Sequence, residues 1–98
     1  MSYNNYLFPK IAGTDELDLA MQEIENHIAE AQKKYGDFTS THEALGVAYE
    51  EWNELREAVH QNAIESVREE SIDLAAVFIR LAVQCRATNN FKERSGAK

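Results

Sequence analysis

Two acid clusters, Glu50-Glu51-Trp52-Asn53-Glu54 and Glu69-Glu70-Ser71-Ile72-Asp73, stand on either side of a turn signal at Gln61 and Asn62. In each cluster carboxylates recur three residues apart, and a spacing of i, i+3 puts side chains on neighbouring positions of one helix face. With a rise of about 1.5 Å per residue, their attachment points lie roughly 4.5 Å apart along the axis. Glu54 falls about eight residues before the turn and Glu70 about eight after it. An antiparallel helix hairpin therefore sets the two clusters at similar heights.

These acids have no cation at helical spacing. Glu54 has Glu50 at i−4, Glu51 at i−3 and Glu57 at i+3, while Arg56 has Trp52, Asn53, Val59 and His60 at its own neighbouring positions. Asp73 has Glu69 at i−4 and Glu70 at i−3, and Arg68 finds only Glu65 behind it among the acids. Each like-charge pair costs about 0.2 to 0.5 kcal/mol on an exposed helix. Elsewhere the chain shows ordinary pairing, with Lys33 and Lys34 at i+3 and i+4 from Glu30. Asp73 also opens an apolar run, with Ile72 before it and Leu74 to Ile79 after it. Two readings stand. Either the second cluster is partly buried and needs pairing, protonation or a metal, or Glu69, Glu70 and Asp73 face water at a helix start, where the dipole favours acids. Facing carboxylates on a hairpin are a recurring way to build metal sites in bundles, and oxygen-only ligands select hard cations such as Mg²⁺ or Mn²⁺.

Composition narrows the alternatives. A chain of 98 residues is one domain (1–98), near the size at which surface outweighs core, so self-association is expected. Hydrophobic content of 44% with one Pro and four Gly reads as globular and helix-rich. The net charge of −7 argues against a nucleic-acid backbone as the main ligand, while a nucleotide carried in with a metal remains compatible. No run approaches the roughly 18 apolar residues of a membrane span, and the N-terminus lacks a signal-peptide pattern. The expected address is cytoplasmic, with no membrane partner. The single cysteine, Cys85, excludes an internal disulfide and a multi-cysteine zinc site; it reads as a buried thiol.

Residues 1–13, with Tyr3, Tyr6, Phe8 and Pro9, read as an extended or irregular arm. Leu17, Met21, Ile24 and Ile28 predict a first helix over about 14–34, stopped by Gly36. Ser40 followed by Glu43 fits a capping box that opens a second helix over about 41–60, with an apolar stripe of Leu45, Ala48, Trp52, Leu55 and Val59. Asn62 with Glu65 suggests a second capping-type start, and a third helix to about Thr88 with Val67, Leu74, Phe78, Leu81 and Cys85 inward. The tail, 90–98, is polar and expected to be flexible. The fold expected is all-α: three main helices with short loops and antiparallel neighbours. They leave an apolar face uncovered, so oligomerisation is expected to complete a four-helix-bundle-like core.

The residues resemble the MazG-like all-α nucleoside triphosphate pyrophosphohydrolases. That family's pattern, E-E-x-x-E and then E-x-x-D, is matched by Glu50-Glu51-x-x-Glu54 and, after fifteen intervening residues, Glu70-x-x-Asp73, with Leu55 and Leu74 following each half. The likeness spans about residues 33–86. It implies hydrolysis of a nucleoside or deoxynucleoside triphosphate to the monophosphate and pyrophosphate, with Mg²⁺ as cofactor, Mn²⁺ a substitute, and a homodimer or homotetramer as the assembly. By match, Glu51, Glu54, Glu70 and Asp73 would be metal ligands and Glu50 would orient or deprotonate the attacking water.

Substrate contacts carry alternatives. Arg80, seven residues after Asp73, is a phosphate contact or a solvated or inter-subunit arginine. Lys33 and Lys34 complement the dipole of the first helix or meet phosphate. Trp52 packs in the core or stacks on a base, whereas Tyr35 and Phe38, in the loop, are the better exposed stacking candidates. His27, His42 and His60 read as structural or solvated. Two rivals remain: a non-catalytic acidic interaction module of inhibitor or antitoxin type, and a di-iron bundle. The second usually uses Glu-x-x-His, which neither Glu54 nor Glu70 supplies.

Overall fold

The structure, a computed structural model, describes residues 15–95 of the chain, with side chains over 15–88. The aromatic arm expected over 1–13 lies outside the described residues, as do 96–98 of the tail. Three α-helices and no strands make up the described part: α1 (Asp15–Tyr35), α2 (Thr41–His60) and α3 (Ile64–Ser95). None of them is long and apolar enough to cross a membrane.

Local chemistry sets the helix ends. Asp15, Glu16 and Asp18 in the first turn of α1, with Lys33 and Lys34 in its last, complement its dipole. Gly36 ends it at φ 75°, donating its N–H to the Gln32 carbonyl at 2.9 Å. Ser40 caps α2, its Oγ accepting from the Glu43 N–H at 3.0 Å. Glu43 completes the motif one residue early, accepting from the Thr39 N–H rather than from that of Ser40.

Asn62 does not open α3. It sits at φ 54° after α2, where its N–H reaches the Val59 carbonyl at 3.0 Å while the Ala63 N–H reaches that of Ala58 at 3.1 Å. This is a Schellman closure, and Asn tolerates the left-handed conformation it demands. Ala63 then accepts the first bond of α3, from the Val67 N–H at 2.8 Å. The helix runs past Thr88, so residues 90–95, expected as a flexible tail, are helical.

Helices α2 and α3 form the expected antiparallel hairpin, since Glu43 is near Arg80, Glu51 near Asp73 and Glu54 near Glu70. Helix α1 differs from expectation: it packs on α3 and not on its sequence neighbour α2. Its pairings rise together, Glu23 with Arg68, His27 with Asp73 and Gln32 with Arg80, so α1 and α3 run parallel. Both α1 and α2 thus lean on α3, with a cleft between them.

The core is built from small residues. Ala44, Ala48 and Val77 cluster with Phe38, supported by Val47, Leu74 and Leu81; alanine at the contact lets the hairpin backbones approach closely. The apolar stripe expected for α2 is rotated accordingly. Ala48 is buried as expected, but Leu45, Trp52 and Val59 are exposed, and Ala44 and Ala58 are buried in their place. On α3, Phe78 and Cys85 are exposed and not inward, whereas Ile72, Ala76, Val77 and Arg80 are buried.

Candidate active site

The hairpin register brings acids of both helices to one point. Glu51 of α2 and Glu70 and Asp73 of α3 each offer a carboxylate oxygen, and the three lie within 4.8 Å of one another. Glu51 Oε1 and Glu70 Oε1 are buried without a hydrogen-bond partner. A buried, unpaired carboxylate oxygen is costly. Burial, reinforced by the charges of Glu54, Asp73 and Glu70, pushes the Glu51 carboxyl from 4.5 up to about 7. Burial and the neighbouring Glu54 and Asp73 also raise Glu70. Of the expected ligands, then, Glu51, Glu70 and Asp73 converge, and Glu54 stands beside them, sharing a second hollow with Glu70 towards the hairpin turn. The reading in which Glu69, Glu70 and Asp73 all face water holds for Glu69 alone, which is exposed, while Glu70 and Asp73 are half-buried.

Helix α1 adds a residue that local spacing did not single out. His27 Nδ1 lies 2.9 Å from Asp73 Oδ1, so the histidine read as structural or solvated touches the cluster. Arg68 is likewise bound to Glu23 of α1 as well as to Glu65, tying α1 to α3 below the site. Such partners come from a packing that sequence spacing does not encode.

Glu51 and Asp73, but not Glu54 or Glu70, line one end of a cleft of about 480 Å³ between α1 and α2, floored by α3, within the usual range for small-ligand sites. Glu50, exposed, is on its wall beside Glu51, and Tyr35, Phe38 and Arg80 line the other end. Three expectations change here. Phe38 is 7% exposed and belongs to the core, because its ring lies under the Arg80 guanidinium. Arg80 itself is 8% exposed and so not solvated. Trp52 is half-exposed and neither in the core nor in the cleft; it lies in an apolar groove with Leu45, Tyr49 and Phe78. Tyr35 is exposed as expected, with Lys34 Nζ 5.2 Å from its ring centroid. Lys33 and Lys34 do not line the cleft.

Chemically, convergent carboxylate oxygens lacking donors fit a hard divalent cation such as Mg²⁺ or Mn²⁺, which would supply the missing positive charge. Fold and site define an all-α hairpin protein with an acidic, cleft-bound cluster. No protein-family model matches this chain, and no curated protein and no solved structure matches it.

Proposed function

We propose that this chain is a MazG-like nucleoside triphosphate pyrophosphohydrolase, dependent on Mg²⁺ or Mn²⁺, releasing pyrophosphate and a nucleoside monophosphate. One observation carries the reading: Glu51, Glu70 and Asp73 meet within 4.8 Å, two of their oxygens are buried without partners, and Glu51 and Asp73 face a ligand-sized cleft. Glu51, Glu54, Glu70 and Asp73 would hold the metal, which when bound neutralises phosphate charge and lowers the pKa of coordinated water. His27 orients Asp73 through its 2.9 Å contact. Glu50, exposed on the cleft wall, orients the attacking water and takes its proton as the water oxygen bonds to the α-phosphorus and pyrophosphate leaves. Tyr35 offers an exposed ring at the far end for stacking on a base.

The reading includes a homodimer or homotetramer. The buried core holds few large side chains, while Leu45, Tyr49, Trp52 and Phe78 are exposed along the outer face of the hairpin. A second copy covering that face would complete a four-helix core.

The test is pyrophosphate release from a panel of ribo- and deoxynucleoside triphosphates, with Mg²⁺ and with a chelator. Chelator-sensitive release of pyrophosphate and monophosphate is expected. A folded protein with no turnover on any member of the panel overturns the proposal in favour of the acidic interaction module.

A further inference from the structure

The cleft has two ends. Glu50, Glu51, Asp73 and His27 form one, and the α1–α2 junction from Tyr35 to Phe38, with Glu43 and Arg80, forms the other. Asp73 and Arg80, which mark the two ends on the floor, are seven residues apart on α3, or about 10 Å along its axis. A ligand held at the acids reaches the junction only if it is elongated.

Side chains from the helices hold that far wall. Gln84 of α3 satisfies both backbone groups of Phe38: its Oε1 accepts from the Phe38 N–H at 3.0 Å and its Nε2 donates to the Phe38 carbonyl at 2.5 Å. Arg80 donates from Nε to Gln32 Oε1 and from Nη2 to the Gly36 carbonyl, both at 2.9 Å, and its guanidinium carbon lies 4.3 Å from the Phe38 ring centroid. Gln32 in turn donates to Asp37 Oδ1 at 2.8 Å. Among the described residues Arg80 makes no ion pair. A short connection between helices is ordinarily among the more mobile parts of a fold; here two side chains of α3, Arg80 on the cleft floor and Gln84 outside the cleft, bind it at three backbone atoms.

We infer that Arg80 and Gln84 are positioning residues for substrate selection. They hold Gly36–Phe38 as the wall that meets the part of the nucleotide remote from its phosphates, the base and sugar. The acidic end takes the triphosphate and metal common to all substrates, and the junction decides which nucleoside fits. This rests on the pyrophosphohydrolase reading. Gln84 does not line the cleft, so any effect of changing it on nucleotide choice is transmitted through Phe38.

The experiment compares wild type with Gln84→Ala, Gln84→Glu, which retains an acceptor for the Phe38 N–H and loses the donor, and Arg80→Lys. Each is assayed for steady-state pyrophosphate release across the nucleotide panel and titrated with Mn²⁺ alone, with helicity checked by circular dichroism. If Gln84→Ala fails to fold, the other two carry the same comparison. A lost hydrogen bond is expected to raise KM for the preferred nucleotide about five- to tenfold. The ranking of nucleotides should flatten, with kcat little changed and Mn²⁺ affinity within about twofold, as for well-separated sites. Folded variants with unchanged KM and ranking overturn the inference alone, as does an equal loss on every nucleotide accompanied by weaker Mn²⁺ binding, which marks a general structural role. No turnover by wild type overturns the reading beneath it, and the inference with it.

Discussion

His27 of α1 and Asp73 of α3 meet at 2.9 Å, Nδ1 to Oδ1, although they are far apart in sequence. The acid cluster therefore belongs to three helices and not to the hairpin alone, because α1 supplies the partner that fixes one of its carboxylates. Outer partners of this kind typically contribute 10- to 100-fold to metal affinity or activity. His27→Ala should lower kcat/KM by about that factor while leaving the helical circular dichroism signal intact, and activity equal to wild type would remove His27 from the site.

The acids themselves should matter more. Glu54→Gln and Asp73→Asn are expected to reduce pyrophosphate release by more than about 100-fold while sparing the helical fold. Undiminished turnover in both variants would sink the assignment.

Metal should stabilise the fold, since a ligand that binds only the native state at one hundred times its Kd adds about 2.7 kcal/mol. For a domain this small that corresponds to a Tm rise on the order of 10 °C. Thermal unfolding with Mg²⁺ and with a chelator reads it directly. Equal Tm values in the two would contradict the metal site.

Glu51 predicts a pH trend in the metal-free chain. Its carboxyl rises from 4.5 to about 7 on folding, so between those values the native state binds more protons than the unfolded state, and stability falls as pH rises. The penalty is absent below about 4.5 and complete above about 7, and Glu70 is shifted in the same direction. Glu43 is shifted the other way, but its window lies below 4.5. Chemical denaturation without metal should give lower stability at pH 8 than at pH 5, and saturating Mg²⁺ should remove most of the difference. Greater stability at pH 8 in the chelated protein would contradict it.

The exposed hairpin face supplies the assembly test. Trp52→Glu with Leu45→Glu should shift the mass measured by light scattering from an oligomer to a monomer. A monomeric wild type would contradict the assembly proposed here.

Much of this molecule was legible from local chemistry. Gly36 and the Ser40–Glu43 pair mark the α1–α2 junction because they settle backbone hydrogen bonds within a few residues of themselves. The meeting of Glu51, Glu70 and Asp73 was legible for a similar reason: two clusters equidistant from one turn arrive at the same height in any antiparallel hairpin. Asn62 is ambiguous to local reading because a left-handed closing residue and a helix cap draw on the same side chains.

Sequence by itself determined the three helices, the hairpin register and the acids' convergence, since each depends on spacing along the chain. Only tertiary structure decided which faces are inside. Ala44 and Ala48 occupy the α2 face packed against α3, and the larger Leu45 and Trp52 turn outward. Only the packing of α1 on α3 brings His27 to Asp73, and Gln32 and Gly36 to Arg80. Those contacts join residues more than forty positions apart, and their energies depend on geometry that no local pattern records.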